Sequence, residues 1–322
     1  MITVIAGGVG AARMLRALLQ VVNASEVTAI VNVGDDLELH GLRISPDLDT
    51  VTYTLADAIN PETGWGLVDE SWQARSMLEQ YGGVSWFGLG DRDLGTHLYR
   101  TQRISEGADL TTVTAEIISA WGLGLNVLPA TCDRLRTMVT LKSDDSSSYD
   151  FKSLPAGSEI SFQEYFVQRH HSVPVSAVRF DGAESCQPGP GVIDAINDAD
   201  LIVIAPSNPI VSIAPVLAIP GIRDALINRR NIVTAVSPII AGAALKGPAD
   251  RMMSELGHVA SVLGIAAVYQ EFVSTLIIDS EDSNQKSAIE DLGLQCIVTE
   301  TVMSKPGVSE SLALAVLAGA NS

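Results

Sequence analysis

Residues 2–33, ITVIAGGVGAARMLRALLQVVNASEVTAIVNV, restrict the fold of this chain more than any other stretch. Five apolar residues are cut off by Gly7, Gly8 and Gly10. Met14, Leu15, Leu18, Leu19 and Val22 then recur at helical spacing, and a second apolar run starts at Val27. Strand, glycine turn, helix and strand make a βαβ unit, whose strands are parallel because a crossover helix joins them. The theme returns downstream: Ile193–Asp200 reads as a helix and Leu201–Ala205 as a strand buried on both faces. Pro206–Pro209 is the turn after it, and Asn231–Ser237 is a further strand. Near-continuous apolar strands alternating with helices predict an α/β fold, a Rossmann-like, doubly wound and mostly parallel sheet.

Residues 65–180 depart from this rhythm. Helical runs at Glu70–Tyr81 and Leu110–Trp121 and strand runs such as MVTLK and VSAVRF predict an inserted helical and β portion within a single domain spanning 1–322. The polar segment 143–149, SDDSSSY, reads as a hairpin tip. A chain of 322 residues buries enough surface to fold without a disulfide or metal staple. Cys132, Cys186 and Cys296 form no CxxC or zinc spacing, so a reducing, cytoplasmic compartment is expected. The N-terminal apolar run has no basic flank, and no run reaches about 18 apolar residues, so neither a signal peptide nor a spanning helix is expected. Lys and Arg total 20 against 38 Asp and Glu, a formal charge of −18. That balance argues against nucleic-acid binding but leaves room for a small anion held by local N–H groups.

Four stretches carry candidate chemistry. Gly7-Gly8-Val9-Gly10 sits between strand and helix, where backbone N–H groups and the helix dipole attract phosphate, although neither GxGxxG nor the Walker pattern is present. Asp35 and Asp36 follow the second strand, and Asp47 and Asp49 lie in SPDLDT. Carboxylates beside a phosphate site repel the ligand unless a divalent cation bridges them, which points to Mg²⁺; helix capping is the plainer reading. Trp86–His97, WFGLGDRDLGTH, crowds Asp91, Arg92 and Asp93 between glycines, as a functional loop does. Ala205-Pro-Ser-Asn-Pro209 and Ser237–Pro248 each begin where an apolar strand ends, offering Ser207, Asn208 and Lys246 to an anion.

In order along the chain, MITVIAGGVGAARML, NVGDDLELHGLRISPDLDTVTYTLA, WFGLGDRDLGTH, FQEYFVQRHH, APSNPIVSIAPVLAIPGIR and SPIIAGAALKGPAD resemble the 2-phospho-L-lactate transferase family of coenzyme F-420 biosynthesis, its actinobacterial members above all. The resemblance implies a Mg²⁺-requiring transfer. The ribityl hydroxyl of the deazaflavin Fo attacks a guanosine diphosphate diester of lactate or enolpyruvate, and GMP leaves. By the same resemblance Asp35 and Asp49 are metal-associated and catalytic acids, and Asp49 also contacts Fo, as ligand or as base. Gly88 falls at a second Fo position, basic in many relatives, with Asp91 and Arg92 beside it. Gly8, Gly10, Ser207, Asn208 and Pro209 match the guanosine diphosphate site, although Ala11-Ala12 replaces the relatives' Gly-Ala or Gly-Gly. The implied partners are small molecules, with neither nucleic acid nor membrane, and a homodimer is the base-rate expectation. A sugar-nucleotide-binding regulatory protein of the same fold is the alternative. A Rossmann oxidoreductase is disfavoured by the missing third glycine.

Overall fold

The computed structural model describes residues 1–145, 153–245 and 247–319. β1 (Ile2–Ala6) and β2 (Val27–Val31) are buried along their whole length, and the short hairpin β3–β4 (Leu37–Leu39, Leu42–Ile44) follows them. Then come β5 (Asn126–Pro129) and an antiparallel trio, β6 (Arg136–Leu141), β7 (Glu159–Ser161) and β8 (Val175–Asp181). β9 (Leu201–Ile204), β10 (Val233–Val236), the hairpin β11–β12 (Ile239–Ile240, Ala243–Ala244), β13 (Thr275–Asp279) and β14 (Gln295–Thr299) complete the strands described.

Seven strands form the central sheet in the order β14-β13-β10-β9-β1-β2-β5, and every neighbouring pair is parallel. The order reverses between β1 and β9. There the connections leave in opposite directions and open a crevice at the strands' carboxyl ends. Alternation along the strands sends side chains into two apolar layers. Val4, Ala29 and Val31 meet Met14, Leu15 and Leu18 of α1 (Gly8–Leu18), together with Leu312 and Val316 of the helix Val308–Gly319. Ile5, Ile30, Ile202 and Ile204 meet Val192, Ile196, Ile222 and Ile265 on the other face.

Between β4 and β5 lie α2 (Pro46–Leu55), α3 (Gln73–Gln80), α4 (Asp93–Ser105) and α5 (Leu110–Ala120). The interval 65–180 is split, because β5 returns to the edge of the central sheet before the antiparallel trio begins. Asp145 pairs with Leu154 in antiparallel fashion, and residues 146–149 of the expected hairpin tip lie outside the described residues. The segment read as a loop through His97 turns helical at Asp93. Glu70 accepts from the backbone N–H groups of Arg92 and Asp93, both at 2.8 Å, and caps α4 from the loop before α3. Among the described residues no single helix is long and apolar enough to cross a membrane.

A side chain cannot be added at Gly10, because its Cβ would lie 2.1 Å from the Pro206 carbonyl oxygen, backbone against backbone. Gly10→Ala is therefore expected to cost at least about 1–3 kcal/mol. Gly95→Ala, in the interior of α4 with nothing within 4 Å, is expected to stabilise by about 0.5–1 kcal/mol. Urea midpoints read both; unchanged midpoints would contradict the packing described.

Candidate active site

The turns after β1 and β9 are stitched together. Ser207 Oγ donates to the Gly7 carbonyl at 2.7 Å, and the Ser207 N–H closes a tight turn onto the Ala205 carbonyl at 2.7 Å. Gly8 opens α1 at φ 69°, in the left-handed region that favours glycine. Ala11 and Ala12 continue the helix without positive φ, so the departure from the relatives' glycine puts no strain on the backbone. Asn208 Oδ1 accepts from the Ile210 N–H at 2.9 Å, while its amide nitrogen is 4.0 Å from Met252 Sδ. Asn208 and Ser207 line the cleft. Pro209 is buried behind them, opening a π-helical turn, Pro209–Ile213. Arg13 also lines the cleft, one turn beyond Val9 on the same face of α1. The sequence reading passed over it, although a helix starting at the glycine turn puts it there. Lys246 lies outside the described residues.

Facing these turns is a pair of buried carboxylates. Asp35 follows β2, and Asp47 stands in the first turn of α2; both line the cleft. Burial, and then the charge of Asp47, hold the Asp35 carboxyl well above its ordinary range. Burial pushes Asp47 up to about 6, while Asn32 Nδ2, at 3.0 Å, and the Gly8 amide favour its charged form. Burial takes Asp36 to about 7 despite the 2.7 Å hydrogen bond from Ser45 Oγ. Asp35 Oδ1 is buried without a hydrogen-bond partner. Asp49 lies two residues beyond Asp47, about 200° further round the helix. Its carboxylate is gripped by the Arg100 guanidinium, with Nη1 3.2 Å from Oδ2 and Nη2 on Oδ1. The cleft wall thus joins Asp35 with Asp47, and Asp49 faces α4.

The far end of the cleft is aromatic. Trp65, Phe87 and Gly88 line one side, Phe162 and Phe166 the other, the last two stacked with centroids 5.3 Å apart. Gly88 seats the Trp65 indole, since a Cβ there would stand 3.0 Å from its ring. Trp65, Phe166 and Gln163 were not singled out from the sequence, although the FQEYF run was. Asp91 and Arg92 are not on the cleft wall. Asp91 caps α3, accepting from Ser71 Oγ at 2.5 Å and from the Gln73 and Ala74 N–H groups at 3.0 Å, and these bonds hold it below the usual carboxylate range. Arg92 donates to the Val68 carbonyl at 2.6 Å. The cavity holds about 690 Å³ and is lined both by the glycine and Ser207-Asn208 turns and by aromatic rings.

A crevice at the switch point of a parallel sheet, with glycine turns, a buried acid pair and an aromatic wall, is the setting of a nucleotide-dependent α/β protein. A solved structure of a UPF0052 family member from Bacillus halodurans has the same fold, with a TM-score of 0.62 at 17% identity, covering 98% of this chain and 99% of that one. The model of the family described as 2-phospho-L-lactate transferase CofD matches residues 2–302, and the chain belongs to that family, transferases of coenzyme F-420 biosynthesis. It is 39% identical to a phosphoenolpyruvate transferase of Kitasatospora aureofaciens, over 98% of this chain and 97% of that protein. Proteins of the same description from Streptomyces coelicolor (94% and 92% covered) and Nocardia farcinica (98% and 94%) are each 40% identical.

Two carboxylates held together in a buried wall are costly, and such strain is kept where function needs it. Asp35→Asn is expected to raise the thermal midpoint in EDTA, at about 2–4 °C per kcal/mol of repulsion relieved. A lowered midpoint would show that Asp35 is a structural anchor instead.

Proposed function

We propose that the chain transfers a phosphoenolpyruvyl group from a guanosine diphosphate diester to the ribityl hydroxyl of Fo. The hydroxyl oxygen bonds to the phosphorus bearing the enolpyruvyl group, the bond from that phosphorus to GMP breaks, and the hydroxyl proton is released. The observation that carries this reading is that one cavity is lined by the glycine and Ser207-Asn208 turns, by Asp35 and Asp47, and by Trp65 and Phe87. The names of the relatives favour enolpyruvate over lactate.

The residues divide the work by position. The first-turn N–H groups of α1, the Asn208 amide and Arg13 suit a diphosphate, which a chain of net charge −18 can attract only through local donors. Asp35 and Asp47 fit a divalent cation, because an orphaned buried carboxylate oxygen beside a second carboxylate is a hard-oxygen donor set in want of positive charge. Mg²⁺ bound there supplies neutralisation of the charge on the phosphoryl oxygens. Asp49 contributes through orientation, since both its carboxylate oxygens are taken up by the Arg100 guanidinium. Trp65 and Phe87 offer the deazaflavin ring a flat aromatic wall in the same cavity as the acids.

Incubation with Fo, Mg²⁺ and either guanylated donor, read by product mass, tests the reading: phosphoenolpyruvyl-Fo and GMP are expected. Binding without turnover of either donor would favour the sugar-nucleotide-binding alternative. Trp65→Ala is expected to weaken Fo binding about tenfold, the scale of one lost stacking contact, with affinity for GDP unchanged. Unaltered Fo affinity would remove the indole from the acceptor site.

A further inference from the structure

One layer behind the cleft, α2 and α4 share a buried polar ring. α2 presents Asp47 and Thr50 to the cleft, Leu48 and Val51 to the apolar core, and Asp49 and Tyr53 to α4. From α4, the Arg100 guanidinium holds Asp49 and reaches the Arg43 carbonyl at 3.4 Å. His97 Nδ1 lies 3.3 Å from Arg100 Nη1, and His97 Nε2 lies 3.3 Å from Asp93 Oδ2. Asp93 Oδ1 accepts from the Tyr53 hydroxyl at 2.6 Å, which returns the ring to α2. A guanidinium can only donate, so Nδ1 accepts from Arg100, while Nε2 faces Asp93 without a hydrogen bond of its own. Tyr53 and His97 are 1% exposed and Arg100 is 2% exposed. Asp49, Asp93 and His97 bring their donor atoms within 4.8 Å, the reach of a metal ion, but the cation in this cluster is Arg100.

We infer that Arg100, oriented by His97 and Asp93, is a positioning residue for the transfer, acting through Asp49 to set the angle of α2; this rests on the transferase reading. A buried ion pair adds little stability over apolar packing of the same volume, so its product is defined geometry. Here that geometry joins both working walls of the cleft. α2 carries Asp47, and α4 follows within a few residues of the loop that carries Phe87 and Gly88. Turning α2 by two residues' worth of rotation would bring Asp49 to the cleft and take Asp47 away. The turns after β1 and β9 stand on the sheet, and α2 reaches them where Asp47 accepts from the Gly8 amide, so a fault in the ring should reach the chemistry first and GDP binding to a much smaller extent.

The test compares Arg100→Met, Arg100→Lys, His97→Gln and His97→Leu by Fo transfer kinetics, GDP titration and thermal midpoint. Arg100→Met is expected to lower kcat about 100-fold, the cost of misplacement by roughly an ångström, with the Kd for GDP within about threefold of the unmodified chain. Arg100→Lys should recover about tenfold of that loss. His97→Gln, whose Oε1 can accept from Arg100, should keep kcat within about fivefold, whereas His97→Leu should behave like Arg100→Met. A lowered midpoint with unchanged kcat in Arg100→Met or His97→Leu would overturn the inference, as would equal behaviour of His97→Gln and His97→Leu. Parallel loss of GDP affinity would overturn it too. If Arg100→Met does not fold, the His97 pair decides. An unmodified chain that binds GDP yet makes no product would instead refute the transferase reading.

Discussion

The contact on which the rest of the molecule depends is the passage of Gly10 against the Pro206 carbonyl, locked by the bond from Ser207 to Gly7. β1 and β9 are neighbours in the sheet, but their connections depart to opposite sides. Without a tie their turns would splay, and the crevice at the switch point would have no fixed width. Glycine permits the tie because nothing larger fits between two backbones. The hydroxyl of Ser207 is consumed in making it, so Ser207 acts chiefly as a fastener, and Asn208 and the α1 amides are left to face a ligand. One short sequence therefore serves both fold and site.

Charge sets the second constraint. A chain with eighteen more acidic than basic residues places two of its carboxylates, Asp35 and Asp47, on the wall of the cleft that the glycine turn also lines. Burial, and then the charge of Asp47, hold the Asp35 carboxyl well above its ordinary range. Such an arrangement is unfavourable for folding by itself, and on the function proposed here a cation and a diphosphate complete the set. Behind the wall the same problem is solved internally, with Arg100 neutralising Asp49.

Much of this was legible in the sequence. The βαβ opening, the parallel core, Asp35 after β2 and the turn at Asn208 follow from local rules, because strand periodicity and turn chemistry act over a few residues. The rotation of α2 was not legible: Asp47 and Asp49 are equivalent in composition, and long-range pairings, Asp49 with Arg100 and Asp47 with Asn32, decide which faces the cleft. The start of α4 was hidden by Gly90 and Gly95, and Glu70, its cap, comes from a distant loop. Asp91 and Arg92 looked functional by crowding, yet Asp91 caps α3 and Arg92 ties the preceding loop. Trp65 owes its place to the bare backbone of Gly88, a vacancy that composition does not reveal.

The central claim is that nucleotide and acceptor occupy two ends of one cleft at the same time. An equilibrium titration of Fo into the protein, with and without saturating GDP and Mg²⁺, tests it most directly. The account predicts a ternary complex, with Fo affinity equal or higher when GDP is bound. Competition, with GDP displacing Fo in proportion to its concentration, would contradict it, because the aromatic wall and the phosphate turns would then serve one ligand instead of two.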